Sequence, residues 1–183
     1  MLIQNAAMVI MHGPRIRLGK PGHHQNADVL LVGNRIAAVG KGLQAPEAVT
    51  LDARGKIVIP GFVDVHNHRW QSMIRGYGSD QDLMDWLNQC VFPLAGADIT
   101  EKETYAAVKF SIADLINTGV TTVVDDSHSY NPAFVEGNLK ALVESGIRFA
   151  FAYCGSKNRF EEMMRIKVDI IDPNPRASFQ ICS

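Results

Sequence analysis

Ile59-Pro60-Gly61-Phe62-Val63-Asp64-Val65-His66-Asn67-His68 is the stretch from which the fold is read. Pro60-Gly61 closes whatever precedes it, and Phe62 to His68 has the length and composition of one β-strand. Side chains two apart on a strand point to the same face, so His66 and His68 are carried side by side. Two neutral imidazoles placed this way can reach one cation, since imidazole is the commonest protein ligand for zinc and also suits iron. The competing reading is a pair of part-exposed histidines at a strand end, because a complete metal site takes three or four protein ligands.

Downstream of this strand, runs of five to eight strand-like residues alternate with segments of helical spacing, the pattern of βα repeats on a parallel sheet. A helix capped by Ser79 or Asp80 is expected to place Leu83, Trp86, Leu87, Cys90 and Val91 on one face and to end near Pro93. The next opens at Thr100 with Glu103 three residues on, a capping-box pattern. It aligns Tyr105, Val108, Ile112, Leu115 and Ile116 before Gly119. A second strand follows over Val120 to Val124. Asn131-Pro132 starts a further helix whose buried side is Val135, Leu139, Leu142 and Val143, ending at Gly146. Ile147 to Tyr153 is the third strand, Asn158 to Val168 a more polar helix, and Ala177 to Cys182 the fourth strand. Functional groups in such sheets collect at the carboxyl ends of the strands, where His66 and His68 lie.

Upstream, residues 1 to 60 read as short strands and turns. Asp28 to Val32 and Arg35 to Val39 flank Gly33-Asn34, a two-residue hairpin turn. A second pair, Ala48 to Leu51 and Ile57 to Ile59, flanks the turn residues 52 to 56. The whole sequence has 183 residues, 18 basic against 19 acidic side chains and a net charge of -1. This balance gives no electrostatic footprint for nucleic acid or an anionic membrane. The apolar runs are shorter than a membrane helix needs, and Cys90, Cys154 and Cys182 form no CxxC, so a reduced cytoplasmic protein is expected. Dinucleotide, phosphoryl-transfer and serine-hydrolase classes lack their glycine-rich, Walker or nucleophile-elbow motifs, and the HxE with PCxxC of the other zinc-deaminase fold is also missing.

The stretch from Ile59 to His68 resembles the first barrel strand of the amidohydrolase superfamily. Trp70-Gln71-Ser72-Met73-Ile74-Arg75-Gly76, Leu83-Met84-Asp85-Trp86-Leu87, Val91-Phe92-Pro93-Leu94 and Gly119-Val120-Thr121-Thr122-Val123-Val124-Asp125 are similar to its branch of cytosine-deaminase-like enzymes and chlorohydrolases. The resemblance implies an α/β fold made of part of a TIM (β/α)8 barrel, about four βα units over residues 61–183. It is preceded by part of a small accessory β-sandwich over residues 1–60. It further implies that His66 and His68 hold one divalent metal ion, Zn2+ or Fe2+. In such enzymes the ion makes water acidic enough to attack an amino- or halo-substituted nitrogen heterocycle. The family's later histidines, its acid/base glutamate and its strand-eight aspartate lie on strands this sequence does not contain, so no catalytic acid or base is assigned. A full barrel takes about 250 residues, so a truncated product, a split gene or an early stop is expected. The alternative is a catalytically inactive half barrel with a binding or assembly role, self-associating as a homo-oligomer through its open sheet edge.

Two departures weigh against a nucleoside substrate: Ala95 stands where some nucleoside-deaminating relatives carry a glutamate, and Ser178-Phe179-Gln180-Ile181 stands where relatives often have a histidine before a Pro-Tyr segment. His128, at the end of the second strand, is a candidate substrate contact or else a polar loop residue. Gln71 is a candidate to orient substrate, whereas Arg75 is read as a loop anchor. Capping of the next turn is an equally open reading for Asp125 and Asp126, and neither is read as a metal ligand. Trp70 and Trp86 are read as packing residues and Met163 and Met164 as core filler. His12, His23 and His24 are read as solvated loop histidines, and Cys154 and Cys182 as small buried hydrophobes.

Overall fold

The strand that carries His66 and ends one residue before His68 forms the edge of a four-stranded parallel sheet in the order β6-β7-β8-β9. These strands are β6 (Phe62–Asn67), β7 (Val120–Ser127), β8 (Arg148–Tyr153) and β9 (Ala177–Ile181). The computed structural model describes residues 1–11, 22–155 and 157–182. The chain divides into two compact units, Met1–Pro60 and Gly61–Ser183.

The first unit contains β1 (Leu2–Met11), β2 (Gly22–Val32), β3 (Arg35–Gly40), β4 (Thr50–Asp52) and β5 (Ile57–Val58). The Gly33-Asn34 hairpin forms as expected, with Gly33 at a positive φ of 56°. The expected pair flanking residues 52–56 does not pair with itself: β4 and β5 each run parallel to β1 at different points along it. Ala6, Val9, Ala27 and Val29 build this unit's small core. Asp28, 6% exposed, is stabilised there by accepting the backbone N–H of Asn5 at 2.8 Å and of Leu43 at 2.9 Å. His23 and His24 lie on strand β2 and face solvent, so they are not loop residues; His12 lies outside the described residues.

In the second unit, helices α2 (Glu101–Asn117) and α3 (Pro132–Ser145) join the strands. Thr100 and Glu103 form the expected capping box, satisfying two backbone donors that the first helical turn leaves free. Asn131 caps α3 through its side chain, Pro132 occupies the first turn, and Gly146 ends the helix in the left-handed conformation. Gly137 lets α3 approach α2: a Cβ there would lie 2.2 Å from the carbonyl oxygen of Glu101. Phe134, Val135, Leu139 and Leu142 then bury against Val108, Ile112, Val123, Phe149 and Phe151.

The long helix expected from residue 79 or 80 is instead a series of short turns. A 3-10 segment over Arg69–Ile74 follows β6, then α1 (Leu83–Trp86), a wider π turn over Leu87–Val91 and a 3-10 turn over Phe92–Gly96. Its cap is Asp82, whose side chain accepts the Asp85 N–H at 3.0 Å, not Ser79 or Asp80. Pro93 enters the last turn near its start, where a missing N–H is tolerated. The polar helix after β8 likewise splits into a 3-10 turn (Lys157–Arg159), α4 (Phe160–Arg165) and a π turn (Ile166–Ile171). Met163 packs on the core, but Met164 is exposed.

Candidate metal centre

The register of the parallel sheet brings the carboxyl ends of its strands level. Asn67 lies opposite Asp125, Ser127 opposite Tyr153, and Tyr153 opposite Ile181. His68, His128, Cys154 and Cys182 therefore follow β6, β7, β8 and β9 along one rim; both cysteines are partly buried, not enclosed.

His66 and His68 do face a common space: their ring centroids lie 5.0 Å apart, edge to face. One residue of the neighbouring strand holds both. Nδ1 of His68 lies 2.7 Å from the carbonyl oxygen of Asp126, and since a carbonyl only accepts, that nitrogen carries the proton. Nε2 of His68 is then the lone-pair nitrogen. Nδ1 of His66 stands 3.1 Å from the Asp126 carboxylate, at ion-pair distance but too bent for a hydrogen bond. That carboxylate favours a proton on the near nitrogen and leaves Nε2 of His66 as the donor too. A backbone carbonyl or carboxylate behind each imidazole is how metal-binding histidines are oriented. The donor set thus fits a divalent ion, with two imidazole ligands. No group of three or more His, Cys, Asp or Glu suited to hold a metal occurs among the described residues.

His128 joins this pair, its ring 4.5 Å from that of His68. It follows β7 and precedes Ser129, which adopts a positive φ of 49°, a conformation seldom taken by a residue with a side chain. The carbonyl oxygen of Ser129 accepts from the Arg159 guanidinium. The kink brings the ring of Tyr130 into a stack with His128 at 5.3 Å. Trp70, fully buried, donates its indole N–H to Nδ1 of His128 at 2.7 Å and packs edge-on against His128, Tyr130 and Phe134. Burial, reinforced by charge on His68, lowers the His128 pKa to about 4. Trp70 is a packing residue as expected, and also a hydrogen-bond donor that its apolar context in sequence conceals.

Gln71 lies apart from His128. It shares with His68 a polar cavity of about 300 Å³ also bordered by Asn67, Arg75 and Asp114. Arg75 anchors its turn as read from sequence, pairing with Asp114 at 2.9 Å and covering the Phe110 ring. A larger, mainly apolar cavity lined by Met73, Leu94, Ile99 and Phe110 contains none of the three histidines.

Beneath the histidines lies a buried polar cluster. Arg69 is wholly enclosed, and its guanidinium reaches Asp64 at 3.2 Å. The Arg69 backbone N–H is 3.4 Å from Asp125 Oδ1. Burial raises the Asp125 pKa to about 6 against the opposing pull of Arg69. Of the readings open for Asp125 and Asp126, capping of the next helix is not the one realised: Asn131 caps it, and Asp125 Oδ1 faces the Arg69 N–H.

A parallel α/β sheet thus carries at the end of its first strand two neighbouring imidazoles, one facing the Asp126 carboxylate and the other the Asp126 carbonyl. Residues 57–172 match the amidohydrolase family, and the chain belongs to that family. It is 35% identical over 142 residues to a 5'-deoxyadenosine deaminase of Methanosphaera stadtmanae, covering 77% of this chain and 32% of that protein. It is 33% identical over 127 residues to a 5-methylthioadenosine/S-adenosylhomocysteine deaminase of Thermococcus onnurineus, covering 69% and 28%. The chain spans about a third of the length of the curated relatives it matches. Among solved structures, it superposes on a mutant atrazine chlorohydrolase of Arthrobacter aurescens TC1 complexed with zinc and atraton. That match has a TM-score of 0.80 and 20% identity and covers 98% of this chain and 46% of the other. A guanine deaminase from C. acetobutylicum with bound guanine gives a TM-score of 0.74 at 21% identity over 100% of this chain and 47% of that one. No helix among the described residues is long and apolar enough to cross a membrane.

Proposed function

We propose that this chain is the metal-binding part of a hydrolase acting on amino- or halo-substituted nitrogen heterocycles, by deamination or hydrolytic dehalogenation. The observation that carries the reading is the pairing of His66 and His68, with both Nδ1 atoms turned to Asp126 so that both Nε2 atoms are donors. The four-stranded sheet is read as the first half of a (β/α)8 barrel and residues 1–60 as part of an accessory β-sandwich. The extent of the solved structures that the chain covers supports that reading.

His66 and His68 would hold one Zn2+ or Fe2+ ion, and a bound ion of this kind acidifies water and stabilises negative charge developing on the attacked carbon. Asp126 orients both imidazoles. His128, uncharged at neutral pH and stacked on Tyr130, would contact the flat heterocycle at the same rim, and Gln71 would orient it from the far side of His68. That relatives are deaminases of 5'-deoxyadenosine and 5-methylthioadenosine supports adenine-type heterocycles as members of the substrate class. Ala95, exposed on its turn, has no carboxylate with which to grip a ribose hydroxyl.

The test is metal-dependent stabilisation of the chain. Zn2+ should raise the melting temperature, as any ligand of the folded state does. The His66→Ala/His68→Ala variant should lose that rise, and a variant that keeps it would overturn the reading. Release of ammonia or halide from a panel of purines and chlorotriazines then separates deamination from dehalogenation.

A second reading, assembly without catalysis, is favoured by the sheet edges. β6 and β9 each pair on one side only among the described residues, and Val63, Val65 and Ile181 are exposed on them. Unpaired strand edges are templates for association. A homo-oligomer closed through these edges, with no hydrolysis of any panel member, is the outcome that would favour it.

A further inference from the structure

We propose that Trp70 is a positioning residue: its indole N–H fixes His128 as the Nε2–H tautomer, making it a hydrogen-bond donor beside the metal pair and keeping it from becoming a third ligand. The role beside the metal rests on the reading of His66 and His68 given above; the tautomer does not.

The argument is one of donor and acceptor identity. Indole nitrogen donates and never accepts, so the 2.7 Å contact from Trp70 Nε1 requires a lone pair on Nδ1 of His128. A neutral imidazole has one such nitrogen, and its proton must sit on Nε2. Trp70 cannot yield, because it is fully buried and wedged against Tyr130 and Phe134. The left-handed turn at Ser129, held by Arg159, fixes His128 from its other side. Nε2 itself makes no hydrogen bond with any described residue.

The contrast with His66 and His68 is chemical. There Nδ1 faces oxygen acceptors, a carbonyl for one ring and a carboxylate for the other, and a lone pair is left on Nε2. At His128 the neighbour is a donor, and the outward nitrogen is protonated. Three histidine rings at one rim are thereby sorted into two metal donors and one hydrogen-bond donor. For His128 to bind a metal through Nε2, its proton would have to move to Nδ1, directly against the indole N–H.

Nitrogen NMR of the isotope-labelled 183-residue chain tests this. Long-range proton–nitrogen correlations should show His128 with an unprotonated Nδ1 and a protonated Nε2. A nitrogen–nitrogen coupling should cross the hydrogen bond from Trp70 Nε1. A protonated Nδ1 would overturn the proposal without any variant. Trp70→Phe keeps the ring and removes the donor, and it should leave His128 with both tautomers populated; an unchanged single tautomer would show that Trp70 does not set it. On adding Zn2+, the ring nitrogens of His66 and His68 should shift and those of His128 should keep their pattern. Zinc affinity in Trp70→Phe should stay within about twofold, whereas losing a partner that orients a true ligand costs about 10- to 100-fold. Ligation of zinc by His128 would overturn the proposal. No zinc binding at all, with the tautomer as stated, would instead strike the reading of His66 and His68.

Discussion

Asp125 and the backbone of Arg69 meet at 3.4 Å in a cluster closed to solvent, where the carboxyl is held near a pKa of about 6. Burial dominates this shift, so the folded state binds the Asp125 proton more tightly than the unfolded chain does. Stability from this group is therefore full below about pH 4 and falls as pH rises through about 6. The loss is on the order of 3 kcal/mol. Asp125→Asn should flatten the stability profile across that window in urea unfolding at successive pH values. A variant profile that keeps the parent's slope would remove Asp125 as its source.

Asp126 presents its carboxylate to Nδ1 of His66. Asp126→Asn replaces a charge with a neutral group of similar shape, and zinc affinity should fall about tenfold, in the range seen for partners of metal-bound histidines. Titration calorimetry reads this directly, and parent-like affinity would detach Asp126 from the proposed role of His66 and His68.

Gly137 sits where α3 crosses the start of α2. Gly137→Ala would press a methyl group onto the Glu101 carbonyl and should cost about 1–3 kcal/mol through overpacking, despite alanine's better helix propensity. Chemical denaturation that shows equal or greater stability would mean the helices separate at little cost.

Thr100 closes the first turn of α2 by accepting the Glu103 N–H while the Glu103 carboxylate accepts the Thr100 N–H. Thr100→Ala should lose about 1 kcal/mol, and Thr100→Ser should recover most of it. Equal stability of all three proteins would show that the cap contributes little.

Local chemistry makes much of this legible in the sequence. The Thr100-Glu103 box, Asn131-Pro132 and Gly146 mark helix ends by groups that act within four residues, and the Gly33-Asn34 turn does the same for a hairpin. The His66/His68 pair was readable because strand parity is local as well. What stayed hidden depends on partners far along the chain. Asp126 meets His68 across 58 residues and Trp70 meets His128 across the same separation, so nothing nearby reveals either contact. The stripe from Leu83 to Val91 suggests one regular helix, yet the segment changes pitch from α to π to 3-10. Likewise β4 and β5 read as partners of each other, but β1 offers each a parallel edge.

Asp126 steers one imidazole with its side chain and the other with its peptide oxygen. Codon changes can erase the first influence but not the second, because every amino acid supplies the same carbonyl. A saturation library at this site would therefore report on His66 and remain blind to His68, whose alignment is written into the path of the strand and answers only to alterations that bend it.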